Sequence, residues 1–345
     1  MNTSIYDVAK LAGVSISTVS RVINESGYVS EKTKTKVNEA MKNLGFVPSI
    51  TAQNLVKHRT KLIGVYFPHY MSSMGFTSTY FMEFIRGANE VIMEKGHHLL
   101  LINEPKEEEE LLSGGVLPQY TTFLKQKRID GLLIGTAPLK TSSFFELVKD
   151  DAPMVYIGER LVSDRGLNVY ALFRQNVWQS LDYLYERKHR RITILYIAES
   201  QVSTYVTEYR QKKKNDPELK VDVRQCPMDV DSYLEVVTDV FKHPERPTAL
   251  MIMDLAKVQP VINYVNNIGL RVPEDVSIIS QEHHLKDGEQ CFPAVTSAYV
   301  PVYQMGRESA MLLFEYLEEK EAYNKQTLLS PQIIERQSVA EAKKP

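Results

Sequence analysis

Five side chains in AGVSISTVSRVIN, residues 12–24, suit the reading of a base sequence: Ile16, Ser17, Thr18, Ser20 and Arg21. Short hydroxyls bond either base edges or phosphates and let a helix come close to a backbone. An apolar Ile can pack on a thymine methyl, and an Arg can pair in bidentate fashion with guanine O6 and N7. The plainer reading of the same stretch is a small amphipathic helix that only packs.

The flanking residues predict the elements that would position this set. Ser4 caps a helix whose Ile5, Val8, Ala9 and Leu11 share one face, and Gly13 breaks it. Ser15 caps a second helix with Val19, Val22 and Ile23 inward. Ser30 caps a third, with Val37, Met41 and Leu44 on its apolar face and Gly45 as its stop. Helix, Gly-containing turn, helix is the helix-turn-helix plan, in which the second helix enters the major groove. A helical hairpin used for packing shares that plan.

Charge is asymmetric along the 345 residues. Residues 1–60 hold eight Lys or Arg against four Asp or Glu, a balance of +4, so the remainder carries −6 of the net −2. A basic end on an acidic body fits a polyanion-binding end, and a solvated helix face would show the same charges. With 43% apolar and 24% charged residues and no long apolar run, no membrane span is expected. MNTSIYDVAK lacks the basic and apolar regions of a signal peptide. Cys226 and Cys291 stand far apart without ligand spacing, which predicts buried reduced thiols in a cytoplasmic protein.

From Lys61 the pattern changes. Near-continuous apolar runs at 62–67, 97–102, 131–135, 153–158, 191–197, 248–253 and 276–280 alternate with helical segments. Such runs suit strands buried on both faces, so the body is expected to be α/β with parallel sheets in two lobes around a cleft. KEEEE, residues 106–110, reads as the exposed start of a helix or loop.

TSIYDVAKLAGVSISTVSRVIN resembles, almost position for position, the DNA-binding signature of the lactose-repressor (LacI/GalR) family. GYVSEKTKTKVNEAMKNLGFVPS, RIDGLLI, HRRITIL, VPEDVSIIS and VTSAYVPVYQMGRESAMLLFEYL are similar to later family segments, so the resemblance spans nearly the whole chain. It implies an all-α helix-turn-helix headpiece (1–46), a hinge helix and linker (47–60) and a two-lobed periplasmic-binding-protein-like domain. The first lobe is expected over 61–160 plus about 292–325, and the second over 161–291 plus about 326–340.

The DNA-binding set implied is Ser4, Tyr6, Ser15, Ile16, Ser17, Thr18, Ser20, Arg21, Asn24 and Tyr28, with Ala52, Gln53 and Leu55 from the hinge. There Leu55 would wedge into the minor groove and partly unstack one step. Ser49 and Gln53 replace the family's frequent Asn and Arg, a loss of charge that Lys57 and Arg59 partly replace. A plain flexible linker is the alternative.

The cleft departs from the family's sugar-binding pattern. Met253-Asp254-Leu255-Ala256-Lys257 loses an Asn, Ser280-Gln281-Glu282 has Glu for Asp, and Tyr205 and Glu208 stand where Arg and Gly are usual. Leu172-Phe173-Arg174-Gln175-Asn176 replaces V-D-N-x-x-G. Tyr80, Phe81, Tyr205, Asp254 and Glu282 are the cleft candidates, although an aromatic at helical spacing often belongs to a core and Asp254 could cap a helix. His283-His284 lack a second ligand pair, so no metal is expected, and no catalytic motif or cofactor site is visible.

These residues predict a non-enzymatic, ligand-responsive repressor of a carbohydrate or related catabolic operon, acting as a homodimer on palindromic double-stranded operator DNA. Its partner at the cleft would be a sugar or sugar-derived effector. Alternatives are control by a protein corepressor or non-sugar ligand, and a solute sensor that no longer binds DNA. The tail after Arg336 has no leucine heptad, which favours a dimer over a coiled-coil tetramer.

Overall fold

The computed structural model describes residues 3–24, 26–48, 59–67, 79–104, 106–135, 142–158, 160–161, 165–197, 201–214, 216–319 and 323–343. The chain divides into two compact units, residues 1–62 with 123–130 and residues 63–122 with 131–345.

The first unit opens with three helices, α1 (Ile5–Ala12), α2 (Ile16–Asn24) and α3 (Glu31–Leu44). Their boundaries follow the capping residues. Ser30 Oγ accepts from the Thr33 N–H, while Gly13 and Gly45 end α1 and α3 in the left-handed region at φ 66 and 60°. Val8, Ala9, Ala12, Val19, Val37 and Ala40 form the core of this headpiece, with Val22, Ile23, Met41 and Leu44 packed on its margin.

The second unit holds two six-stranded sheets. The first contains β1 (Leu62–Tyr66), β2 (His98–Ile102), β3 (Gly131–Gly135), β4 (Met154–Gly158) and β5 (Gly166–Tyr170). These are joined by α4 (Thr79–Glu94), α5 (Glu108–Ser113), α6 (Gln119–Lys125) and α7 (Ser142–Lys149). The second sheet contains β6 (Arg191–Tyr196), β7 (Lys220–Gln225), β8 (Ala249–Ile252), β9 (Ser277–Glu282) and β10 (Thr296–Tyr299). Around it lie α8 (Phe173–Glu186), α9 (Val202–Lys212), α10 (Val230–Lys242) and α11 (Val258–Asn267). Then α12 (Val302–Glu319) returns to the first lobe. Strand β11 (Asn324–Leu328) completes the first sheet in the order β11-β5-β4-β3-β1-β2. The second sheet runs β12-β10-β9-β8-β6-β7, with β12 (Gln332–Ile334) its antiparallel member.

Every apolar run singled out in the sequence is a strand, and β3, β4 and β8 are buried along their whole length. The lobe boundaries differ from those expected. Strand β5 pairs with β4 in the first sheet, and β10 pairs with β9 in the second, so residues 166–170 belong to the first lobe and 296–299 to the second. Residues 326–328 likewise belong to the first lobe, because β11 pairs with β5 through Leu328. Polar residues hide these strands. Asn168 is fully buried in β5, where its amide donates to the Tyr156 carbonyl at 3.0 Å and its Oδ1 accepts from the Leu161 N–H at 2.9 Å. Thr296 and Ser297 are fully buried in β10.

The KEEEE stretch begins helix α5 as expected, and all of it but Glu108 is exposed. Glu108 is buried and accepts a 2.9 Å hydrogen bond from the Tyr120 hydroxyl, so the run is not wholly exposed. In the first lobe α4 and α12 touch backbone to backbone. A Cβ on Gly87 would lie 2.1 Å from the Tyr303 carbonyl oxygen, and one on Gly306 would lie 2.2 Å from that of Phe84.

Candidate nucleic-acid interface and interlobe cleft

The start of α2 is a hydroxyl cluster. Ser15 Oγ lies 2.8 Å from Ser17 Oγ and 2.9 Å from Thr18 Oγ1, and it accepts from the Thr18 N–H at 3.2 Å. Capping and hydroxyl presentation therefore coincide, since the cluster that ends the helix is itself exposed. Ile16 and Arg21 are exposed on the same helix. Gly27, at φ 70°, leaves room beside Arg21, whose Cδ would be 3.9 Å from a Cβ there.

Tyr6 and Tyr28 are 68% and 93% exposed, a large aromatic surface for so small a unit. Leu11, expected on the apolar face of α1 with Val8 and Ala9, is exposed instead, and Val47 is exposed as well. At α1, Ser4 donates its N–H and its hydroxyl to the Asp7 carboxylate at 2.9 and 2.7 Å, and these bonds hold that carboxyl below the usual range.

Asn24 is placed differently from the rest of the proposed set. It is buried, and its amide donates to the Ser20 carbonyl at 2.9 Å and the Ser20 hydroxyl at 3.2 Å. Asn24 thus fixes the last turn of α2 and orients Ser20 from behind. Ala52, Gln53 and Leu55 lie outside the described residues.

In the body, each of the five cleft candidates has partners of its own. Tyr80 is half-buried, and its ring meets the His283 ring edge-on at 5.2 Å, linking α4 of the first lobe to the residue after β9 of the second. Burial pushes the His283 imidazole down to about 4, so it is neutral at pH 7. Phe81 is core rather than cleft, packed against Phe67 at 4.6 Å. Its position on the buried face of α4 sets that direction.

Tyr205 belongs to the packing of α8 on α9. Its carbonyl accepts from the Trp178 indole at 2.9 Å and its hydroxyl donates to Gln201 at 3.2 Å. Asp254 caps the short helix Leu255–Lys257 by accepting from the Ala256 N–H at 3.1 Å. Glu282 is buried in an ion pair. Arg336 donates to its Oε1 at 2.9 Å, and the Gly288 N–H donates to its Oε2 at 2.9 Å. A buried carboxylate needs such partners, and these occupy both oxygens. Arg174 and Glu208, both departures from the family pattern, form a 3.4 Å ion pair with each other.

Among the described residues, no group of three His, Cys, Asp or Glu is placed to hold a metal ion, and no helix is long and apolar enough to cross a membrane.

A helix-turn-helix headpiece on a body of two parallel sheets defines a class, the DNA-binding regulators with a periplasmic-binding-protein-like domain. Residues 4–49 match the bacterial regulatory proteins of the lacI family, and residues 181–339 match the periplasmic binding protein-like domain. The HTH-type transcriptional repressor PurR of Pectobacterium carotovorum is 29% identical, over 98% of this chain and 97% of that protein. The HTH-type transcriptional regulator RegA of Clostridium saccharobutylicum is 27% identical, over 98% of this chain and 99% of its own length. The lac repressor dimer bound to operator and the anti-inducer ONPF shares the fold at a TM-score of 0.80, with 20% identity, 99% of this chain and 100% of that chain covered. The chain thus carries a DNA-binding domain of the lacI family of bacterial regulatory proteins together with a periplasmic binding protein-like domain. Those two domains together define a DNA-binding transcriptional regulator.

Proposed function

We propose that this repressor binds a palindromic operator as a homodimer, with α2 of each protomer in a major groove. The observation that carries this reading is the exposed first turn of α2. Ser15, Ser17 and Thr18 form one hydroxyl cluster there, beside an exposed Ile16 and Arg21. Ile16, Ser17 and Arg21 are assigned to base edges, while Ser15, Thr18 and Ser20 hold the phosphate backbone. Tyr6, Tyr28 and Ser4 flank the backbone contacts, and Leu55 is assigned to the minor groove at the dyad, with Ala52 and Gln53 beside it. The protein is proposed to work in the cytoplasm, where operator DNA is found.

A small-molecule effector in the interlobe cleft is the proposed signal. Resemblance alone favours a sugar or sugar-derived ligand and a carbohydrate or related catabolic operon. One observation favours a second reading, a non-sugar ligand or a protein corepressor. Both carboxylate oxygens of Glu282 and Oδ1 of Asp254 accept bonds within their own lobe, so two groups suited to sugar hydroxyls are already engaged there.

Quantitative gel shifts of the full chain test the DNA reading, using a duplex selected from a random pool and a random duplex of equal length. The selected duplex is expected to bind at least about a thousandfold more tightly, with affinity falling steeply as salt rises. Equal affinity for both duplexes would reduce the headpiece to a packing module. A thermal-shift screen of sugars, sugar phosphates and nucleosides then separates the effector readings, because a ligand of the folded state raises Tm.

A further inference from the structure

Thr60 and Lys61 lie directly before β1, where the linker joins the body. The Thr60 N–H and hydroxyl donate to Asp130 Oδ1 at 2.6 and 2.9 Å, and the Lys61 N–H donates to Asp130 Oδ2 at 2.8 Å. The Asp130 N–H in turn donates to the Leu62 carbonyl at 2.8 Å. Asp130 immediately precedes β3, whose pairing with β1 begins at Ile63 and Gly131. Both oxygens of one carboxylate are therefore spent on the last linker residue and the one after it.

Lys61 has φ 58°, a left-handed conformation that residues with a Cβ adopt only when their surroundings hold them there. Its side chain is exposed. The two N–H groups aimed at Asp130 supply the reason.

We propose that Asp130 is a positioning residue for operator recognition. Its carboxylate fixes Thr60 and Lys61, the residues that join the linker to β1. The proposal rests on the operator-binding reading above. Specific binding requires hinge and headpiece to be ordered in one geometry, and freedom at the junction is lost only in that mode. Non-specific binding tracks phosphates and tolerates a loose junction. Because Asp130 also immediately precedes β3, it ties the residue before that strand to Thr60 and Lys61.

The test uses the full chain, the selected duplex and the random duplex. Asp130→Asn replaces one accepting oxygen with an amide that repels an N–H. Lys61→Val breaks the clamp from its other side, because a β-branched residue is strongly disfavoured at positive φ. Lys61→Gly keeps the turn without strain. Both breaking variants are expected to lose about tenfold in preference for the selected duplex, with random-duplex affinity held within about twofold. Trypsin is expected to cut them faster after the exposed Arg59. Lys61→Gly is expected to match the wild type on each count.

Wild-type preference and cleavage rate in both Asp130→Asn and Lys61→Val would overturn the proposal. So would an Asp130→Asn chain that melts early while Lys61→Val binds like the wild type, since Asp130 would then be merely structural. A wild-type chain with no preference for the selected duplex would instead remove the operator reading beneath it, and the proposal with it.

Discussion

Arg21 is exposed on α2 with a glycine beside it, so its guanidinium is free to reach a base edge. Arg21→Ala is expected to cost about 1–3 kcal/mol of specific binding per half-site, and to spare most non-specific binding. Competition gel shifts with single-base operator variants check this, because selectivity should relax at one position only. Glu282 gives the contrasting case. Glu282→Gln leaves buried Arg336 without its counter-charge, and the folded state is expected to lose about 3 kcal/mol by urea titration. Unchanged stability with altered ligand response would restore Glu282 to the cleft. His283 adds a pH signature. Its folded pKa of about 4 lies below the ordinary 6.5. Between those values the unfolded chain binds a proton that the folded chain does not, so this group's contribution makes stability rise with pH across that window. Tm measured against pH is expected to rise less steeply in His283→Gln.

At the scale of elements, the close approach of α4 and α12 is the tightest constraint. Gly306→Ala would push a methyl into the Phe84 carbonyl, and the helices must separate. A loss of about 1–3 kcal/mol is expected, read by chemical denaturation, with DNA affinity of the folded fraction unchanged. Elements were legible where one rule dominated. Runs such as Gly131–Gly135 are buried on both faces, and their apolar continuity says so. Caps at Ser30 and Gly45 marked helix ends because each does one local job. Strands β5 and β10 were not legible, because Asn168, Thr296 and Ser297 satisfy their polar groups through partners distant in sequence. Those missing strands are the reason the lobe boundaries were misplaced.

For the whole molecule, the headpiece helices were far more legible than the surroundings of the cleft candidates. The hydroxyls, Ile and Arg around Ser15 stand at a helix start, and a helix start is written locally. Cleft residues act from orientation, which tertiary packing sets. Phe81 and Glu282 face inward for reasons that only the fold supplies. The same holds for Asp130, seventy residues from Thr60 in the chain. Leu55→Ala is expected to weaken specific binding while sparing non-specific binding, measured by anisotropy on both duplexes. Equal losses would argue against a wedge at the dyad. The central claim, a dimeric repressor reading two symmetric half-sites through α2, is tested most directly by selecting duplexes from a random pool with the full chain and footprinting the winner. A palindrome protected across both half-sites, about one helical turn apart centre to centre, is expected. An unenriched pool, or protection of a single half-site, would contradict it.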